Sequence, residues 1–121
     1  MLRPLLAAAM VAVFALPVAA SGSPIVPQLT ARVTAKSITL VSADGKRVRL
    51  LQPNRYKIVV HDRTKGQNFH LVGPRVNSKT RIAATSTATW TVYLQPGSYS
   101  YRSDRNARLH GAFIVAGSPP A

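Results

Sequence analysis

The sequence predicts an all-β protein, a Greek-key sandwich of about seven short strands, and three observations carry that prediction. First, apolar residues recur at every second position in short runs: Leu29, Ala31 and Val33, then Ile38 and Leu40, then Val48 and Leu50, and later Trp90, Val92 and Leu94. That period is what a strand buried on one face requires. Second, turn chemistry separates the runs, at Asp44-Gly45, Pro53-Asn54 and Pro96-Gly97. Asp-Gly supplies the positive φ angles of a tight hairpin, and in Pro-Asn and Pro-Gly turns Pro presets φ while Asn or Gly tolerates the left-handed region. Third, no stretch beyond residue 20 shows the period of an amphipathic helix, so strands alone must build the core.

Residues 1–20, MLRPLLAAAMVAVFALPVAA, have one early cation, an apolar run from Leu5 to Leu16 and small residues before the polar Ser21, which is the pattern of a secretory signal peptide. The run is too short for a hydrocarbon core, which takes about 20 residues. Residues 21–28 read as a linker, 29–116 as one domain and 117–121 as a tail. The first runs lead into a hairpin at Asp44-Gly45, from which Val48 and Leu50 carry the returning strand. An internal echo follows: Leu51-Gln52-Pro53-Asn54-Arg55-Tyr56 matches Leu94-Gln95-Pro96-Gly97-Ser98-Tyr99. Each is a Pro turn feeding a strand headed by Tyr, so the two read as equivalent corners of a sandwich and not as a tandem repeat. Ala112 to Val115 is the last strand.

Composition narrows the function classes. The chain of 121 residues has no cysteine, so an oxidising compartment would give it no disulfide and the core alone must hold it. It has no Glu and only Asp44, Asp62 and Asp104 against 16 Lys and Arg, a net charge of +13. Such a surface attracts anionic partners: an acidic protein, an envelope polymer or an anionic lipid surface. Nucleic acid is not expected, because Trp90 and the tyrosines read as core and corner residues and not as a stacking platform. With three carboxylates and no evident acid–base pair, the chain is not expected to be an enzyme. Ser103, Asp104 and His110 form a nucleophilic set in composition only.

Three segments carry a family resemblance: VVHDRTKGQNFHLVGPRVN (Val59 to Asn77), ATWTVYLQPGSYSYRSD (Ala88 to Asp104) and HGAFIV (His110 to Val115). In order and spacing they resemble the cupredoxin-like (plastocyanin-like) domains of secreted proteins, whose members typically show an H-N-F-H-L-x-G-P-G-V run, a T-W-T-V-x-L-x-P-G-x-Y-x-Y segment, then C-D-P-H, a Met and G-x-F-x-V. The resemblance implies a cupredoxin-like sandwich in a secreted or periplasmic protein, expected to be monomeric. It also implies where type 1 copper ligands would stand. The first His falls on Gln67, the Cys on Ser103, the second His on Asn106 and, with the loop one residue shorter, the Met on Leu109. Type 1 copper needs a thiolate, and this chain has none, so the family's copper and electron-transfer chemistry is not expected of it and no cofactor is. Gln, Ser and Asn instead predict a side-chain hydrogen-bond cluster, with Leu as a volume-conserving replacement for Met.

The leading expectation is a secreted binding or interaction module that has lost type 1 copper, with a candidate anion site; the alternative is a metal-handling protein. In the alternative, a metal such as Cu(II) binds weakly through His61, His70 or His110, although His70 has the opposite strand parity to Gln67 and so points away from the former ligand pocket. In the leading reading, the cations Arg63, Lys65, Arg75, Arg102, Arg105 and Arg108, gathered at one end by the cupredoxin topology, form the anion site, since guanidinium forks match carboxylate and phosphate.

Overall fold

The alternation resolves into two sheets in the computed structural model, which describes residues 25–82 and 85–119. The expected signal peptide lies outside the described residues. The strands are β1 (Gln28–Val33), β2 (Ile38–Ser42), β3 (Leu50–Leu51), β4 (Asn54–Asp62), β5 (His70–Gly73), β6 (Val76–Lys79), β7 (Ser86–Leu94), β8 (Gly97–Arg102) and β9 (His110–Val115). One sheet has the order β2-β1-β4-β7 and the other β3-β9-β8-β5-β6. The β1–β4 and β3–β9 pairs are parallel and the rest antiparallel. Among the described residues no helix is long and apolar enough to cross a membrane.

The all-β sandwich is as the sequence predicts, but among the described residues there are nine strands and not about seven. The two the alternation missed are β5 and β6, each of four residues around Pro74-Arg75, too short to display a period. The Asp44-Gly45 turn forms, with Gly45 at φ 84°, yet the return from it is not a hairpin strand. It pairs with β2 only at Val41–Arg47. The chain then crosses to the other sheet, where Leu50 and Leu51 lie beside Ile114 and Val115 of β9. Burial of Val48 between the sheets anchors that crossing.

Alternate residues of both sheets fill the space between them, with Leu29, Ala31, Val33, Leu40, Ile58 and Val60 fully covered. A chain of aromatic rings runs through this core. Trp90 packs on Phe69 at 6.1 Å, Phe69 stacks on Tyr101 at 5.3 Å, Tyr101 meets Phe113 at 6.4 Å, and Phe113 stacks on Tyr99 at 5.2 Å. Such offset contacts add about 0.5–1.5 kcal/mol each beyond the area they bury.

The echoed segments are equivalent corners. The Tyr56 hydroxyl donates to the Gln52 carbonyl at 2.7 Å, and the Tyr99 hydroxyl to the Gln95 carbonyl at 3.0 Å. Each ring thus ties a strand start to the turn four residues upstream, in the manner of a tyrosine corner. Burial pushes both phenols above their ordinary value, so each stays protonated and donates at any physiological pH. Tyr56→Phe and Tyr99→Phe are each expected to lower the unfolding free energy by about 0.5–1.5 kcal/mol, measured as a shifted urea midpoint at unchanged slope. A variant indistinguishable from the parent would mean that water satisfies that carbonyl equally well.

Candidate functional site

The segment from Arg63 to Phe69, between β4 and β5, meets the loop from Ser103 to Leu109, between β8 and β9. The Ser103 hydroxyl, on a residue 1% exposed, donates to Gln67 Oε1. Its oxygen accepts from the Arg105 amide at 3.3 Å and, at 3.5 Å, from that of Asn68. The loop closes on itself: the Ser103 and Leu109 amides donate to the carbonyls of Leu109 and Asn106, both at 3.0 Å, and the Asn106 amide reaches the Ser103 carbonyl at 3.4 Å. Asn106 Oδ1 caps the Arg108 amide at 3.1 Å, and Leu109 is buried beneath. Positions 67, 103, 106 and 109 therefore lie together, Gln67 touching Ser103 and the other two in the same short loop.

A second layer that sequence reasoning missed fastens this contact. Asn68, buried directly after Gln67, holds Asp104, directly after Ser103. The Asp104 amide donates to Asn68 Oδ1 at 2.8 Å, and Asn68 Nδ2 donates to Asp104 Oδ2 at 3.0 Å and to the Thr80 carbonyl at 3.1 Å. Asn68 so uses both ends of its amide, the satisfied state a buried amide needs. His70 adds a third contact, with Nδ1 on Asp104 Oδ1 at 2.8 Å and Nε2 on Asn77 Oδ1 at 2.6 Å. The only sequence signal for this layer was adjacency, since Asn68 and Asp104 neighbour two positions already singled out.

Asp104 also takes an ion pair from Arg102 Nε at 3.5 Å. Burial alone would raise its carboxyl. The hydrogen bonds from His70 and Asn68, with the charges of His70 and Arg102, outweigh burial and hold it below the ordinary carboxylate range. A depressed folded pKa gives stability that is fully present above the unfolded value of about 3.9 and is lost as pH falls through the folded one. Asp104→Asn offers one acceptor oxygen where the carboxylate offers two. It is expected to cost about 1–3 kcal/mol at pH 7, and the gap to the parent should begin to narrow as pH falls below about 4. Urea unfolding at pH 7 and pH 3 checks this, and a gap that has not narrowed at pH 3 would mean that the charge is not what matters. Asp62 has the opposite sign. It is buried at the end of β4, Oδ1 accepts from the Thr64 amide at 3.1 Å and, among the described residues, Oδ2 has no hydrogen-bond partner. Burial raises its carboxyl despite the Thr64 amide and the nearby Thr80 hydroxyl, so its charge is unfavourable at neutral pH and relieved in acid.

The cations do not all gather where the topology was expected to put them. Arg105 and Arg108 are exposed on the closing loop, Arg102 precedes it, and Arg63 and Lys65 lie on the segment that leads to Gln67. Arg75 is elsewhere. It sits in the β5–β6 turn at φ 58°, lining a groove with Val92, Tyr93 and Gln95, at the end of β5 away from His70. In its place the structure brings Lys79 and Arg81, which line a cleft with Asn68, Thr80 and Asp104.

The histidines are dispersed. His61 is on β4, in the four-stranded sheet, while His70 and His110 are on the five-stranded sheet with Arg102 between them in register. Among the described residues no three His or Asp side chains stand close enough to hold a metal ion. Both ring nitrogens of His70 are engaged. A type 1 copper ion does not fit the residues present: the chain offers no thiolate, position 103 holds a hydroxyl already donating to Gln67, and no imidazole stands at 67 or 106. The nucleophilic set does not assemble either, since Ser103 faces Gln67 and Asp104 faces His70.

No protein-family model matches the chain, and no curated protein matches it. Among solved structures it is similar to the copper protein rusticyanin, with 12% identity over 74% of this chain and 76% of that one and a TM-score of 0.53. At that identity the likeness defines the class of fold: the protein is a cupredoxin-like β-sandwich. A protein from a marine microbial metagenome matches 78% of this chain and 32% of its own length, with 15% identity and a TM-score of 0.37.

Proposed function

We propose that this chain is a cupredoxin-like binding module that works outside the cytoplasm, without copper at positions 67, 103, 106 and 109 and without catalysis of its own, and that its loop end takes an anionic partner. The observation that carries the reading is the closed contact between Gln67 and Ser103, on a loop whose exposed side chains include Arg105 and Arg108. Polar groups that a metal would need are spent on one another inside, while guanidinium groups face outward. Arg102, Arg63 and Lys65 add charge at the same end, where exposed cations disfavour a metal ion and favour carboxylate or phosphate. The partner class is an acidic protein, an envelope polymer or an anionic lipid surface.

The test compares binding to vesicles rich in phosphatidylglycerol, and to heparin as a soluble polyanion, across a series of salt concentrations. An Arg102/Arg105/Arg108 triple Ala variant is set against an Arg47/Arg49/Lys57 triple Ala control that removes the same charge. If the loop cations form a focused site, their removal is expected to lower both the affinity and its dependence on salt more than the control does. A loss no greater than the control's would show that only net charge matters and would end the case for a site.

A further inference from the structure

Four strands end their sheets, and three of those edges are blunted. The free side of β2 is partly covered by the chain that follows it, through the Val41–Arg47 bridge, whose two bonds run from Ser42 N–H to the Lys46 carbonyl and from Val48 N–H to the Leu40 carbonyl, both 2.9 Å. β3 is two residues long, and β6 is four and ends in Lys79. β7 differs from all three. It is nine residues, STATWTVYL, without charge, Pro or Gly. Its register with β4 runs unbroken from Asn54–Leu94 to Asp62–Ser86, so it has no bulge, and among the described residues only β4 pairs with it. A long edge of this kind presents unpaired N–H and C=O groups that can accept another strand.

The side chains of β7 are arranged to match. Thr87, Thr89, Thr91 and Tyr93 face solvent, while Ala88, Trp90 and Val92 turn toward the core and remain only partly buried. Val92 and Tyr93 border the groove that holds Arg75 and Val76. At the other end Ser86 and Thr87 border Arg63 and the buried Asp62. An uncharged strand thus has a cation near each end, and Thr87 to Tyr93 spans about 20 Å at about 3.3 Å per residue.

We propose that β7 is a docking edge for an extended acidic segment of a partner protein, which adds as a strand beside it, with acidic residues at its ends toward Arg63 and Arg75 and β-branched or apolar residues alternating over Trp90 and Val92. Main-chain hydrogen bonds supply affinity in this mode and alternate side chains supply selectivity. A second copy of the chain is the poorer occupant, since it would bring its own +13 charge to the same edge. The edge shares Arg63 with the loop end but includes no residue of the Ser103–Leu109 loop, and strand addition along β7 does not depend on that loop's role.

The test uses isotope-labelled protein at 0.15 M salt and a synthetic peptide blocked at both ends, Glu-Glu-Thr-Val-Thr-Val-Thr-Glu-Glu. A control peptide of equal charge replaces the central Thr with Pro, which removes one N–H and cannot extend a ladder. The acidic peptide is expected to shift the β7 amides and slow their hydrogen exchange, and the Pro peptide to bind at least about tenfold more weakly. Arg75→Gly, which also removes the unfavourable φ, should weaken binding about two- to fivefold. The Arg102/Arg105/Arg108 triple Ala variant should stay within about twofold of the parent at this salt. The proposal is overturned by equal binding of the two peptides, by shifts confined to the Ser103–Leu109 loop, by β7 protection that grows with protein concentration in the absence of peptide, or by no binding.

Discussion

Gly111→Ala is expected to lower the unfolding free energy by about 3 kcal/mol or more, at the upper end of what overpacking costs. Gly111 on β9 is the register partner of Tyr101 on β8, and the Tyr101 ring lies flat across it. A methyl group at Gly111 would overlap Cζ and the hydroxyl oxygen of that ring. Relief by rotation is blocked, because Tyr101 is 1% exposed and held between Phe69 and Phe113. Displacing it would disturb the aromatic chain from Trp90 to Tyr99. Gly73 on β5 repeats the arrangement against Tyr99, where an added methyl would overlap Cδ2, Cε2 and Cγ of the ring. Against a total stability of about 5–15 kcal/mol, either substitution consumes a large share. Chemical unfolding of Gly111→Ala, Tyr101→Val and the double variant decides the mechanism. Tyr101→Val alone costs core packing, but in its background Gly111→Ala should cost much less than in the parent if overlap is the cause, and a Gly111→Ala protein within about 0.5 kcal/mol of the parent would show that the ring yields freely.

What the sequence made legible was mostly local. The tyrosine corners were readable because hydroxyl and carbonyl are four residues apart, so a turn signal followed by Tyr contains the whole device. The alternation of β1, β4 and β7 was readable for the same reason. β3 was not, because its partner is a choice between strands distant in sequence: Leu50 reads as the return of a hairpin until Ile114 is present to pair with it. The family resemblance groups Arg75 with the cations of the loop end, but β5 intervenes and carries it to the other end of the sheet. The clamp of Asn68 on Asp104 joins residues 36 apart, and nothing in either short segment announces the other. The nature of the Gln67–Ser103 contact was legible only in kind. Residue types predicted hydrogen bonding, while the pairing itself depended on two loops meeting.

That meeting makes a gain of function the most informative remaining experiment. Gln67→His, Ser103→Cys and Asn106→His together should give a protein that binds one equivalent of Cu(II) and turns visibly coloured, through charge transfer from the new thiolate to the metal. The parent should show no such band, since it has no cysteine. The positions favour this outcome: residues 67 and 103 already touch, the Asn106 amide reaches back to the Ser103 carbonyl, and Leu109 packs beneath the same loop. A soft thiolate with two imidazoles in a closed site is the donor set that Cu(II) takes in such folds. Adding Leu109→Met supplies a weak axial thioether at little cost in volume, about 1.5 kcal/mol or less, and should change the colour more than the affinity. The double His variant without Ser103→Cys separates the two contributions, for it should bind copper weakly and stay almost colourless. A folded triple variant that binds Cu(II) without the visible band would show that positions 67, 103 and 106 do not converge as ligands. The hydrogen-bonded loop would then be an arrangement in its own right, not a copper loop with its ligands exchanged.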